Sequence, residues 1–277
     1  MGIARRVKRL TRHSIDNGRQ RVGAAVDTLR RGENSVVWAP RAGLRLGNLL
    51  YLWLHAHSRS AIGPSVAVLE TRGMQEWWEH FPALRQLSVP REEVRFSDRR
   101  EWDAAWLYQR FGVDFDRLEL NAFIRDVFAE RVADIVEERL VINVRRGDFY
   151  ATEFEAKHGF DVAAYTSAAL AHFSGDSGAL VVSDDADWCR NHLGDQLRSR
   201  FRDVEYATPD PLQNLLALAS ARRLIGANST FSYWGAYIAD AIHTDVQIVM
   251  PRFHARMAHG TDAHQLDPRW TALDGFH

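Results

Sequence analysis

The second half of the chain alternates regularly between short apolar runs and segments with helical spacing. Five runs rich in Val, Ile and Leu are separated by four such segments. Strands separated by helices pair in parallel, and right-handed crossovers then place helices on both faces of the sheet. The pattern therefore predicts a doubly wound parallel sheet. The predicted strands are 139–144, 179–183, 203–206, 223–226 and 246–250, and the predicted helices are 161–173, 185–193, 210–221 and 230–240.

The first half is less regular but contains the same kind of unit. Ser35–Ala39 and Ser65–Leu69 are predicted strands, and the apolar segment Leu46–His57 between them is a predicted helix. A long helical segment at Asp116–Glu138 can bridge two lobes. We therefore predict an α/β protein of two Rossmann-type lobes with a cleft between them. The predicted parts are a leader at 1–31, an N-terminal, acceptor-side lobe with the bridging helix at 32–137 and a C-terminal lobe at 138–277.

The composition excludes several broad classes of protein. The chain is 46% hydrophobic and 26% charged with a net charge of −1, which is typical of a globular protein and not of a polycation that binds nucleic acid. Its single cysteine, Cys189, cannot form an intramolecular disulfide, and this favours a reducing compartment. We expect a cytoplasmic protein without nucleic-acid partners.

The first 31 residues form a basic leader. They contain nine Arg or Lys residues against two acids, and their apolar residues recur at helical spacing. A basic amphipathic helix can lie on an anionic membrane surface, which would make the protein peripheral at the inner face of the cytoplasmic membrane. A solvated helix or a disordered leader explains the same composition, so both interpretations stay open.

The most informative local feature is Arg139–Asp148, in which an apolar strand ends in Arg-Arg-Gly-Asp. Ligands of open α/β sheets bind beyond the carboxyl ends of the strands. Arg145 and Arg146 can grip phosphate oxygens through parallel hydrogen bonds, and Asp148 can fix the rotamer of one guanidinium. The alternative is a group of ion pairs that braces a loop.

A second strand ends in Ser183-Asp184-Asp185. One of the two aspartates is expected to cap the following helix. The other carboxylate can accept two N–H groups from the edge of a guanine ring. Asp185 and Asp187 also match a short metal-binding pattern, but the pattern is common by chance and we expect no metal.

Two glycine-containing turns complete the candidate site. The strand around Leu224 runs into Gly-Ala-Asn-Ser-Thr and then a helix, so hydroxyl groups, free N–H groups and a helix dipole face one way. A helix N-terminus of this kind can bind phosphate, although the same residues can also form a simple helix cap. The turn Gly43–Asn48 follows the first strand and would allow close approach of a ligand.

Together these segments resemble the α-1,2-fucosyltransferase family, glycosyltransferase family eleven, within the wider fucosyltransferase superfamily. The family's HxRRxDY box corresponds to Asn143–Phe149 and its SDDxxW box to Ser183–Trp188. Its NSSFSWWGA box corresponds to Asn228–Ala236 and its RLGNQM box to Arg45–Leu50. The four boxes occur in the family's order.

The resemblance implies a GT-B-like fold and inverting transfer of L-fucose from GDP-β-L-fucose to a glycan hydroxyl, α-1,2 to galactose, without a cofactor or metal. Arg145 would contact the departing β-phosphate. The implied catalytic residues are Arg145, Arg146 and Asp148, and the implied donor-binding residues are Asn143, Asp184, Asp185, Asn228, Ser229, Thr230, Ser232, Gly47 and Asn48.

Two positions depart from the family pattern, because Asn143 replaces a histidine and Leu49 replaces a glutamine. These changes bear on the acceptor and its linkage more than on the donor. The candidates for the general base are Asp148, Glu153 and His158.

Three alternatives to the implied reaction stay open. The first is α-1,6 transfer or another GDP-sugar donor, and the second is a catalytically silent nucleotide-sugar-binding protein. The third is a scaffold docked on the membrane through the leader. The four boxes do not identify the acceptor. A lipid-linked acceptor would suit the basic leader, which could hold the protein near the membrane.

Overall fold

The computed structural model describes residues 30–39, 44–101, 109–150, 152–174, 178–258 and 260–277. All but the last two residues of the predicted leader therefore lie outside the described residues. The chain forms two compact units. Among the described residues, the smaller unit contains those up to Leu44 and those from His55 to Glu101, and the larger contains Arg45–Leu54 and those from Gln109 onward.

The smaller unit contains a four-stranded parallel sheet with the order β3-β2-β1-β4. The two predicted strands and the helix between them are confirmed. The sequence analysis missed β3, which has two residues, and β4, which is Arg-Arg-Glu and contains no apolar residue. The bounds are β1 Ser35–Val37, α1 Leu46–Ile62, β2 Val66–Leu69, α2 Gln75–Trp78, α3 Pro82–Gln86, β3 Ser88–Val89 and β4 Arg99–Glu101, with a 3₁₀ turn at Arg91–Glu93.

The larger unit contains a six-stranded parallel sheet with the order β12-β9-β8-β5-β6-β7. All five predicted strands are confirmed, and the edge strand β12 was missed. A two-stranded antiparallel ribbon, β10-β11, follows β9. The bounds are β5 Glu137–Val144, β6 Ala179–Ser183, β7 Val204–Tyr206, β8 Ala221–Ile225, β9 Gln247–Pro251, β10 Phe253–Met257, β11 Gly260–Asp262 and β12 Thr271–Leu273.

Seven helices of the described residues belong to the larger unit. A capping box starts α4, because Asp116 accepts from the N–H of Glu119 while the Glu119 side chain accepts from the N–H of Asp116. This helix ends at Val132, well before the predicted end at Glu138. The bounds are α4 Arg117–Val132, α5 Glu155–His158, α6 Val162–Leu170, α7 Ala186–His192, α8 Gly194–Arg200, α9 Pro211–Ala219 and α10 Thr230–Ile242, with a 3₁₀ turn at Gly147–Phe149.

The order of the larger sheet shows where the direction in which successive strands are added reverses. Counted from β5, the strands run 3-2-1-4-5-6 across the sheet, which is the Rossmann order. The chain first builds outward through β6 and β7, then returns to pair β8 with the free side of β5. The point of reversal therefore lies between β5 and β8.

Helices cover this sheet on both faces. On one face, Leu140, Ile142 and Val144 of β5 pack in a core cluster with residues of α6, α7 and α8. The other face is covered by α9 and α10, which pack on each other and contact β5 and β8. The fold is therefore the doubly wound α/β arrangement that the sequence predicts.

The larger unit takes in more of the chain than the C-terminal lobe assigned from the sequence. The reason is an aromatic cluster around α10. Trp234 of α10 lies 5.1 Å from Tyr51 of α1 and 5.6 Å from Phe123 of α4, measured between ring centroids. These buried rings join the first half of α1 and the whole of α4 to the larger unit.

Among the described residues, no helix has the length and apolar character needed to cross a lipid bilayer.

We expect Gly235→Ala to destabilise the larger unit. A Cβ atom at Gly235 would overlap the side chain of Leu218, where α9 and α10 pack most closely. Overpacking of this kind costs about 1–3 kcal/mol, which urea unfolding would detect. Gly63→Ala is the control, because the nearest atom to its Cβ would be the carbonyl oxygen of Arg59 at 3.7 Å. Equal stability of the two variants would contradict this account of the packing.

Candidate functional site

The candidate site lies at the point of reversal in the larger sheet. In open α/β sheets this point forms a crevice at the carboxyl ends of the strands, because the adjacent connections leave in opposite directions. Here the two connections are the Arg-Arg-Gly-Asp segment after Val144 of β5 and the Gly-Ala-Asn-Ser-Thr segment after Ile225 of β8. The fold thus brings together two of the segments that the sequence analysis selected.

The carboxylate of Asp184 joins the ends of β5 and β6. Its Oδ2 lies 2.5 Å from Nη1 of Arg145, and its Oδ1 accepts from the backbone N–H of Arg146 at 2.8 Å. The turn must pass close to this carboxylate, since a Cβ atom at Gly147 would overlap Asp184 Oδ2. Asp184 thus orients Arg145 and fixes the backbone of the next residue.

The guanidinium of Arg146 has different neighbours. It is enclosed between two aromatic rings, with its Cζ 4.0 Å from the ring centroid of Tyr150 and 4.1 Å from that of Trp188. Its Nε lies 3.5 Å from Oδ2 of Asp185. Stacking on both faces holds the guanidinium plane and leaves its edges for hydrogen bonds.

Of the two aspartates predicted to include a helix cap, Asp185 is the one that caps α7. Its Oδ1 accepts from the backbone N–H of Trp188 at the start of α7. Asp187, the other member of the short metal-binding pattern, is almost fully exposed and pairs with Arg190. In the part of the chain that the structure describes, no group of three His, Cys, Asp or Glu side chains could hold a metal ion.

The segment after β8 is a helix start with an internal hydrogen-bond network. Ser229 caps α10 by accepting from the N–H of Ser232, whose own hydroxyl accepts from the N–H of Ala227. Asn228 and Ser232 are fully buried, Ser229 is nearly so, and Thr230 is half-buried. Of these four predicted donor-binding residues, Thr230 is therefore the one with an accessible side chain.

Asn143, also predicted to contact the donor, lies at the end of β5. Its Nδ2 donates to the carbonyl oxygen of Val182 on the neighbouring strand at 2.9 Å. The residue is 7% exposed, so its side chain mainly links β5 to β6. The structure describes no side chain for Asp148, whose backbone is part of the 3₁₀ turn.

The Arg-Leu-Gly-Asn turn at the start of α1 packs against the start of α10. Gly47 lies so close to Thr230 and the N–H of Phe231 that any Cβ atom would overlap them. Asn48 follows on the same turn and is half-buried. Leu49, which replaces the family's glutamine, is fully buried in the core. Gly43 lies outside the described residues.

The sequence analysis did not assign roles to three aromatic side chains that surround the arginines. Tyr150 and Trp188 enclose Arg146, and Phe149 lies under Arg145 with a centroid-to-Cζ distance of 5.3 Å. A signal was present for two of them, because Phe149 and Tyr150 follow the arginine pair after Gly147 and Asp148. Their contacts depend on the turn at Gly147, which the pattern alone does not reveal.

With this geometry established, comparison with known proteins identifies the family. The profile of Glycosyl transferase family 11 matches residues 99–274, which include every strand of the larger sheet. The chain belongs to glycosyl transferase family 11. The resemblance that the four boxes indicate is therefore confirmed.

Two curated relatives come from Escherichia coli. An alpha-1,2-colitosyltransferase is 26% identical over 136 residues, which cover 44% of this chain and 47% of the relative. The O-antigen biosynthesis glycosyltransferase WbnK is 28% identical over 118 residues, which cover 40% of this chain and 37% of that protein. Each match thus spans less than half of the relative's own length. No solved structure matches the chain.

We expect Cys189 to be unreactive in the folded protein. Burial is the main cause that raises the pKa of this thiol, from 9.0 to about 11. At pH 8 only about a thousandth of it is then thiolate, the form that reacts with disulfide and iodoacetamide reagents. Thiol titration should give no signal in the native protein and one thiol after denaturation with guanidinium chloride. Rapid native reaction would contradict the buried position.

Proposed function

We propose that this protein transfers L-fucose from GDP-β-L-fucose to a glycan hydroxyl, α-1,2 to galactose, with inversion of configuration. The observation that carries the proposal is the position of the half-buried Arg145, which Asp184 holds at the point of reversal of a Rossmann sheet. Sheets of this order bind nucleotides at that point. Family membership supports the reaction class, and the name of one relative supports the α-1,2 linkage.

In this reaction the acceptor oxygen attacks C1 of the sugar as the bond between C1 and the β-phosphate oxygen breaks. The acceptor proton passes to a base, and GDP leaves with added negative charge. Arg145 would stabilise that charge through its charge-assisted N–H groups, which gain strength as the charge develops. A guanidinium can do this work without a metal ion, and we propose no metal.

The two aspartates divide their roles in this proposal. Asp184 has one oxygen on Arg145 and the other on the N–H of Arg146, so we assign it to orienting the arginine. Asp185 is the more exposed carboxylate, at 38% against 27%, and we expect it to accept from the N–H groups of guanine. This assigns the base to the aspartate that also caps α7, whereas the sequence analysis assigned it to the other aspartate. Thr230, together with the N–H groups at the start of α10, is expected to contact phosphate.

A second donor deserves a direct comparison because one relative is named a colitosyltransferase. A GDP-linked colitosyl donor would use the same phosphate and base contacts, so the sugar-contacting residues would decide between the two. Another GDP-sugar, α-1,6 transfer and a silent GDP-sugar-binding protein are the remaining alternatives from the sequence.

We further propose that the acceptor is a surface-glycan precursor and that the protein works in the cytoplasm, at the inner face of the membrane. The name of the second relative, which refers to O-antigen biosynthesis, supports such an acceptor. The nine basic residues among the first 31 would then hold the protein near a lipid-linked substrate.

Selective stabilisation by guanine nucleotides tests the donor. We expect GDP and GDP-fucose to raise the melting temperature, with UDP-sugars and ADP inactive and with EDTA or Mn²⁺ of no effect. A ligand present at one hundred times its Kd adds about 2.7 kcal/mol to the free energy of unfolding. GDP-mannose and a GDP-linked colitosyl donor complete the panel.

The same panel can refute the proposal. No shift with any guanine nucleotide would contradict it, and a requirement for Mn²⁺ would contradict the metal-free mechanism. Binding of GDP-fucose without product on any glycan acceptor would favour the silent binding protein.

Substitutions at the two ends of the Arg145–Asp184 pair should have similar effects. We expect Arg145→Ala to lower kcat about 10²- to 10³-fold, with a smaller loss of GDP affinity, because the arginine acts mainly on the developing charge. Asp184→Asn should also lower kcat while keeping the preference for GDP over ADP. Steady-state kinetics and calorimetry would measure both.

Arg145→Lys serves as the control that keeps the charge but loses the planar fork. Near-normal turnover of Arg145→Ala would contradict the assignment of Arg145. If Asp184→Asn kept its turnover and bound ADP as well as GDP, then Asp184 rather than Asp185 would read the base.

A further inference from the structure

Arg145 is the first member of a stack of three side chains. Its Cζ lies 5.3 Å from the ring centroid of Phe149, on the 3₁₀ turn. Phe149 in turn stacks on the imidazole of His158, with a centroid distance of 4.4 Å and an interplanar angle of 14°. The order is therefore guanidinium, phenyl ring, imidazole, with Phe149 in the middle.

The far end of this stack is anchored by a fully buried side chain. Nδ2 of Asn228 donates to the carbonyl oxygen of His158 at 2.9 Å and to that of His254 on β10 at 3.1 Å. Arg256 of the same strand donates to the carbonyl oxygen of Gly159 at 2.8 Å. The backbone that carries His158 is thus fixed to both the β8 connection and β10.

His254, whose carbonyl oxygen also accepts from Asn228, is itself held in place by packing and by a hydrogen bond. His254 lies behind the stack, with its ring centroid 6.2 Å from that of His158, and its Nδ1 is 3.0 Å from the hydroxyl of the buried Tyr233. Burial is the main cause that lowers the pKa of the His254 imidazole to about 3, so this ring is neutral near pH 7. A neutral, hydrogen-bonded ring packs without a buried charge.

These contacts restrain Arg145 in two independent ways. Asp184 fixes one edge of the guanidinium, and Phe149 covers one of its faces. A free arginine side chain samples many rotamers, and ordering it costs side-chain entropy. Supplying that order before the substrate arrives is the preorganisation that electrostatic catalysis requires.

We infer that Phe149 and His158 are positioning residues for Arg145. This inference rests on the proposed function, in which Arg145 stabilises the leaving diphosphate. It assigns His158 the role of an aromatic platform, and therefore not that of the general base for which the sequence made it a candidate. Asn228 acts in the same chain by holding the backbone of His158.

Two substitutions at His158 distinguish its proposed role as an aromatic platform from a role as the general base. His158→Phe keeps a flat ring for Phe149 to stack on but cannot take a proton. His158→Ala removes the ring as well. We expect His158→Phe to keep kcat near the wild-type value with an unchanged pH profile, and His158→Ala to lose about 10- to 100-fold in kcat, the scale expected for a misplaced catalytic group.

Each other result of this comparison would overturn the inference. If both variants lost activity equally, and the acidic limb of the pH profile of kcat disappeared with the imidazole, His158 would be the base. If both kept full activity, the stack would have no part in catalysis. Wild-type protein that binds no GDP and makes no product would refute the proposed function, which is a separate result.

A matched pair at Phe149 decides the matter if His158→Ala does not fold. Phe149→Tyr keeps the ring, and Phe149→Leu replaces it with an apolar side chain that cannot stack. We expect Phe149→Leu to lower kcat more than it raises KM, and Phe149→Tyr to restore kcat. Melting temperatures show whether each variant is folded. Equal kcat for the two Phe149 variants would contradict the inference.

Discussion

The geometry of the site depends on the carboxylate of Asp184. It is the last acid before the cap of α7, and it reaches from the end of β6 to the side chain of Arg145 and the backbone of Arg146 at the end of β5. Arg145 follows Val144 of β5 and Asp184 follows Ser183 of β6, and these two strand ends are paired in register, so the sheet sets the separation of the two side chains. One side chain therefore connects the fold to the orientation of the charged loop.

The sheet supplies the rest of the framework. Its reversal between β5 and β8 places the arginine loop beside the start of α10, where Ser229 accepts from the N–H of Ser232 and Ser232 accepts from the N–H of Ala227 in the preceding loop. These hydroxyls stabilise the loop from within, and the amide of Asn228 ties it to the backbone of His158 and His254. Buried polar side chains of this kind must be paired, and pairing makes the loop rigid. A rigid loop keeps the accessible groups in place.

The sequence predicts the architecture well because strands and helices have periodic patterns. All five strands predicted in the second half form, and the short edge strands β3, β4 and β12 were not predicted; β4, for example, is Arg-Arg-Glu and contains no apolar residue. It also predicts that one of Asp184 and Asp185 caps a helix. It cannot say which one, because the choice depends on the residue at which α7 begins after the end of β6. That information is three-dimensional.

The structure also explains why two adjacent arginines are not equivalent. Asp184 accepts from the side chain of Arg145 but from the backbone of Arg146, so one carboxylate can orient only the first guanidinium. The second is instead held on both faces by Tyr150 and Trp188. Arg146 thereby ties the loop after β5 to the first turn of α7, which carries Asp185. One connected set of contacts thus holds both Asp185, which we expect to bind the base, and Arg145, which we expect to bind the phosphate.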